Sequence, residues 1–139
     1  MSARQRPWPR QWLMTDERLG DRLWAALARL PDGDGGVVFR HHATAPAPRA
    51  ALARRVAQAC RARGLVLAIA FDCALAEEIE ADLVHNPGRE TTLPLSMSVH
   101  SVAEAERAIV EGADFLMVGS IYPTSSHPGL PGAGLDLVR

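Results

Sequence analysis

The chain has 139 residues, 47% of them hydrophobic, enough for one compact domain. Charged residues make up 22% and the formal net charge is -1. The arginines are scattered rather than gathered into a basic stripe, so nucleic acid is not an expected partner. All 15 basic residues are Arg, which excludes a lysine Schiff base or a lysine phosphate clamp.

Cys60 and Cys73 lie outside any CxxC pattern and suit a reducing, cytoplasmic location. The N-terminus "MSARQRPWPRQ" is basic but lacks an apolar h-region, and no run is long enough to span a bilayer. Residues 1–11 read as a tail. Pro7 and Pro9 oppose helix there, and Trp8 and Trp12 are placed to pin it to the body.

From Trp12 the chain alternates short apolar runs with helical segments. "WLMTD" (12–16) reads as the first strand, followed by leucines 19, 23, 27 and 30 at helical spacing. "GVVFRHH" (36–42) is the second strand. Leu52, Val56 and Cys60 mark the next helix, with Gly64 as its stop. "LVLAIA" (65–70) is the third strand, before a short helix capped by Asp72. "ADLVHN" (81–86) and "LPLSMSVH" (93–100) are separated only by "PGRETT", too short for a helix. "SVAE" at 101–104 is a capping box in which Ser101 caps and Glu104 reaches back. Ile109 falls on the apolar face of that helix, Gly112 ends it, and "ADFLMVGS" (113–120) is the sixth strand.

Continuous apolar strands in βα order imply an α/β fold with a parallel sheet and right-handed crossovers. Such folds carry their chemistry at the C-terminal ends of the strands. All five histidines (His41, His42, His85, His100 and His127) fall at or just beyond an expected strand end, as does Arg40.

His100 is the leading catalytic candidate, a proton shuttle on the same side of its strand as Ser98; the alternative is a residue that orients the following helix. Arg40 offers a forked donor to carboxylate or phosphate, against the alternative of a salt bridge to Asp16 or Asp72. The loop "GSIYPTSSHPG" supplies hydroxyls and backbone N–H groups without carboxylates, which suits an anion, though an ordinary Ser/Pro turn has the same composition. A metal site is weakly supported, because no tight spacing such as HExxH occurs.

The stretch "SVHSVAEAERAIVEGADFLMVGSIYPTSSHPG" (98–129) resembles the thiamine phosphate synthase/TenI family. So do "WLMTDERLGD", "VVFRHH" and "ADLVH". The resemblance implies a TIM-barrel fold and thiamine biosynthesis. The activity would be either coupling of a pyrimidine methyl diphosphate to a thiazole phosphate with magnesium, or aromatisation of a thiazole carboxylate phosphate. It implies that Arg40 and Ser98 face a diphosphate, that His100 is the acid/base, and that Thr124 and Ser126 bind phosphate, with His127 where the family has Lys. Small phosphorylated thiazole and pyrimidine ligands are then the expected partners.

The chain departs from the family pattern at several positions. Val38 and His42 replace Gln and Lys around Arg40, and Ala70-Phe71 replaces an Asn-Asp pair whose Asp helps hold magnesium. Glu90 aligns only loosely with the second metal carboxylate. A TIM barrel has eight strands over roughly 200 residues or more, whereas about six are legible here. The expectation is a TIM-barrel-like parallel βα repeat over 12–139, apparently incomplete, whose exposed edges favour pairing between copies. A non-catalytic ligand-binding or regulatory remnant of the same fold is the alternative.

Overall fold

The computed structural model describes residues 7–139, so the first six residues of the expected tail lie outside the described residues. The chain forms two compact units, one running to Leu93 and the other from Pro94 to Arg139.

The first unit contains β1 (Gln11–Met14), α1 (Arg22–Ala28), β2 (Gly35–Phe39), α2 (Pro46–Arg63), β3 (Val66–Ala70), α3 (Cys73–Glu78) and β4 (Leu83–His85). A 3-10 turn over Glu17–Leu19 follows β1, capped by the Asp16 carboxylate. The strands pair in parallel in chain order, with Leu13 beside Val37, Val37 beside Leu67 and Ile69 beside Val84. β2 is buried along its whole length and β3 along all but its first residue, as their continuous apolar runs require. Leu23 and Leu27 of α1 and Ala53, Val56, Ala57 and Cys60 of α2 pack against Val37, Phe39, Leu67 and Ile69 to form the core. Fully burying each such Val, Leu or Ile contributes about 1.5–3 kcal/mol.

The second unit contains β5 (Leu95–Val99), α4 (Val102–Val110) and β6 (Phe115–Val118), with β5 and β6 parallel and Ser96 beside Phe115. A long loop leads to a final 3-10 turn at Leu135–Val138. Ile109, expected on an apolar inner face, is 63% exposed; Ala108 is the buried residue of α4.

The local stops are those the sequence indicates. Gly64 ends α2 with φ 64°, Asp72 caps α3 by accepting from the Leu75 N–H, and Ser101 caps α4 by accepting from the Glu104 N–H. Each strand has fewer residues than its expected run, β1 and β2 starting one residue earlier, and before β4 and β6 a polar residue leaves the ladder for side-chain bonds. Asp82 and Asp114 illustrate this. The Asp82 N–H donates to the Leu67 carbonyl while its carboxylate accepts from the Leu67 N–H at 2.8 Å. Asp114 does the same to Leu95, at 2.8 and 2.9 Å. Each aspartate follows an alanine and a residue of positive φ, Glu80 (55°) in one case and Gly112 (93°) in the other. In both, the alanine N–H closes back onto the preceding helix, Ala81 to Ala76 and Ala113 to Ala108.

Candidate functional site

In the first unit, the ends of β1 and β2 are tied by a polar network around Thr15, which is fully buried. The Thr15 hydroxyl accepts from the Arg40 N–H at 3.1 Å and lies 3.0 Å from His41 Nδ1. Arg40 Nε donates to the Thr15 carbonyl at 2.8 Å, and Nη2 reaches the Met14 carbonyl and the Asp16 carboxylate at 3.4 and 3.3 Å. Arg40 thus makes the Asp16 salt bridge, the first of the two alternatives, while its Nη1 makes no hydrogen bond to the described residues. Arg18 holds the Asp16 carboxyl below its ordinary value, with a smaller contribution from Arg40.

His41 is 5% exposed, has φ 44° and stacks on Phe39 with centroids 4.7 Å apart. Burial lowers its pKa, against the opposing pull of Glu17 and Asp16. His85, at the end of β4, is buried and its pKa falls to about 4, chiefly through desolvation and then through Arg40 and His42. It is therefore a neutral ring at physiological pH, not a cation for a phosphate.

A cavity of about 690 Å³ opens among His42, Thr44, Arg49, Phe71, Asp72 and Arg89. Phe71 stands at its rim, 62% exposed and with φ 66°.

In the second unit, His100, Thr124 and His127 line one cavity of about 320 Å³, together with Ser120, Tyr122 and Leu130. His127 Nδ1 lies 3.3 Å from the Thr124 hydroxyl. His100 Nδ1 lies 3.3 Å from Glu104 Oε2, and the same carboxylate accepts from the His100 N–H, which lowers the Glu104 pKa. The reach-back bond of the capping box therefore goes to His100 rather than to Ser101. The helix-orienting alternative for His100 is thus present along with its place in a cavity. Ser98 borders a different cavity, of about 250 Å³, with Met97, Val99, Glu104 and Arg107. Ser126 is exposed and is not among the residues lining the His100 cavity.

Glu90 is exposed, and no group of three or more His, Cys, Asp or Glu that could hold a metal occurs among the described residues. Ala70 and Phe71, at the end of β3, carry no carboxylate for magnesium, and Asp72 beside them is engaged with Arg49 and the cap of α3. No helix is long and apolar enough to cross a membrane among those residues.

Arg49 escaped the sequence reading. It is 9% exposed and bonds the Arg40 carbonyl through Nε and Nη2, the Ala70 carbonyl through Nη2 and Asp72 through Nη1. The available signal was its spacing: Arg49 falls in line with Ala53, Val56 and Cys60 on the buried stripe of α2. Thr15 carried no comparable signal.

Comparison with known proteins places these elements in a family. A thiamine-phosphate synthase of Geobacillus kaustophilus is 38% identical over 123 residues, covering 76% of this chain and 56% of that protein. One of Streptomyces avermitilis is 32% identical over 144 residues, covering 94% of this chain and 67% of that protein. The chain thus spans between about half and two thirds of these relatives' length. A solved thiamine phosphate pyrophosphorylase from Pyrococcus furiosus superposes with a TM-score of 0.70 at 23% identity, covering 84% of this chain and 63% of that one. That likeness supports the expected TIM-barrel-like α/β fold. The family model described as thiamine monophosphate synthase matches residues 12–139, and the chain belongs to that family.

Proposed function

We propose that this chain acts in thiamine biosynthesis as an enzyme of the cytoplasm, binding a thiazole phosphate in the cavity lined by His100, Thr124 and His127. The observation that carries this reading is that the candidate base and two candidate anion ligands share one cavity. Thr124 and His127 would donate to phosphate oxygens there; Ser126 of the same loop lies outside that lining. When His100 donates its Nδ1–H to Glu104, Nε2 keeps the lone pair that takes a ring proton from the thiazole and returns it elsewhere.

Two reactions use this arrangement. In tautomerisation, the His100 proton transfer is the whole chemistry. In thiamine phosphate synthesis, the thiazole nitrogen would displace the diphosphate of the pyrimidine, for which the family resemblance gives Arg40 and, separately, Ser98 as candidate ligands. The family's use of magnesium is matched only in part by the residues present, since Ala70-Phe71 stands where the Asn-Asp pair belongs. This favours tautomerisation over synthesis. The same observation supports a second reading, a ligand-binding protein of the same fold without catalysis.

Two incubations separate the readings. One supplies the pyrimidine diphosphate, the thiazole phosphate and magnesium, and thiamine phosphate is measured. The other supplies thiazole carboxylate phosphate, and aromatisation is followed. Synthesis fails if folded protein yields no thiamine phosphate. If neither product forms but thiazole phosphate binds, the non-catalytic reading stands.

A further inference from the structure

Thr15 is the enclosed hub where β1 meets β2. Its hydroxyl is 3.1 Å from the Arg40 amide nitrogen and 3.0 Å from His41 Nδ1. A backbone amide can only donate, so the hydroxyl accepts from Arg40. A second lone pair would let the hydroxyl accept from a protonated Nδ1 as well, but that leaves its buried proton without an acceptor among the described residues, so the proton points to His41 Nδ1, which carries the lone pair. The His41 ring is buried and stacked on Phe39 at 12° between planes, and a flip within that plane would put Cδ2, not Nε2, beside the hydroxyl. Burial also favours the neutral ring over the cation, with Glu17 and Asp16 acting against it and Arg49 and Arg40 reinforcing it.

We propose that Thr15 is a positioning residue: its hydroxyl bridges the Arg40 amide and the His41 ring, locks His41 as the Nε2–H tautomer, and sets Arg40 so that its Nη1 edge meets a ligand anion. The side-chain half of that placement is already visible. Nε and Nη2 are spent on the Thr15 and Met14 carbonyls and on Asp16, which leaves the Nη1 edge. The anion half rests on the proposed role of Arg40, whereas the tautomer half does not.

The first test is nitrogen NMR of wild-type protein labelled at histidine, with His41→Gln for assignment. The expected result is a protonated Nε2 and an unprotonated Nδ1 at His41. The reverse tautomer, or a protonated Nδ1 at pH 7.5, overturns the bridge. This test needs no Thr15 variant to fold. The second test titrates inorganic pyrophosphate into wild type, Thr15→Ser, Thr15→Val and Arg40→Ala by calorimetry. Thr15→Val, which keeps shape but loses the hydroxyl, is expected to weaken binding about tenfold and to shift the His41 nitrogen signals. Thr15→Ser is expected to restore both to within about threefold. Wild-type affinity in a Thr15→Val protein that melts normally overturns the positioning role. If Arg40→Ala binds pyrophosphate as wild type does, the anion role of Arg40 fails instead, and the histidine tautomer alone decides the bridge.

Discussion

Arg49 donates to the carbonyl of Arg40 twice, from Nε at 3.1 Å and from Nη2 at 3.0 Å. The same guanidinium reaches the Ala70 carbonyl and Asp72, so one side chain from α2 ties the ends of β2 and β3. Removing it takes both of these donors from the Arg40 carbonyl, whereas the Ala70 carbonyl keeps the Asp72 N–H at 2.7 Å. Arg49→Met is expected to lower unfolding free energy by about 2–4 kcal/mol. Arg49→Lys should recover less than half of that, because a point charge cannot reproduce the fork. Urea unfolding of the three proteins checks both expectations.

His85 makes stability depend on pH. Its folded pKa is about 4, against an ordinary 6.5. Between those values the unfolded chain binds the proton and the folded chain does not, so stability rises with pH across that window. The contribution is fully present above about pH 6.5 and is lost as pH falls toward 4, by about 3 kcal/mol in total. Urea midpoints measured from pH 4 to 7 should follow this slope, and His85→Gln should flatten it. A slope unchanged by the substitution refutes the assignment.

Gly36 lies beside Trp12 across the β1–β2 pair, and a Cβ there would sit 2.5 Å from the indole ring. The ring is tethered by its Nε1–H to the Pro9 carbonyl at 2.7 Å, so it cannot swing aside cheaply. Gly36→Ala should cost about 1–3 kcal/mol, and Trp12→Leu in the same chain should return part of that loss. Thermal melts of the single and double variants provide the measurement.

His100→Ala should cut thiazole aromatisation on the order of a hundredfold or more, with little change in melting because the side chain is largely exposed. Thr124→Val should act instead on thiazole phosphate affinity. A His100→Ala protein that aromatises at the wild-type rate would remove His100 from the chemistry.

Cys60 is 2% exposed and burial pushes its thiol up to about 12. At pH 8 only about one molecule in ten thousand carries the thiolate. Iodoacetamide should therefore label Cys60 only as fast as the chain opens, and denaturant should accelerate the reaction steeply.

Features set by near neighbours were readable before the structure. Gly64, Asp72 and Ser101 stop or cap helices through bonds within a few residues, so their roles show in the local sequence. The parallel order of elements was equally legible, because β2 and β3 are apolar on both faces. Thr15 and His41 are 26 residues apart, and Arg49 and Asp72 are 23 apart. No local pattern states those pairings, and so the network that holds Arg40 was not foreseen. Ser98 and His100 show a subtler gap: alternation along β5 puts them on one side, yet they border different cavities.

The positive-φ residue, alanine and aspartate that precede β4 and β6 have a consequence for how the chain tolerates length changes. The aspartate holds both backbone groups of a residue in the neighbouring strand, and the alanine is latched to the helix behind it. Each junction is thus a spacer of set length between two anchors. An added residue among 80–82 or 112–114 would shift every later side chain of the strand to the opposite face. Only Gly112 among the two turn residues suits its backbone without strain, so Glu80→Gly is the substitution that would make the two junctions alike.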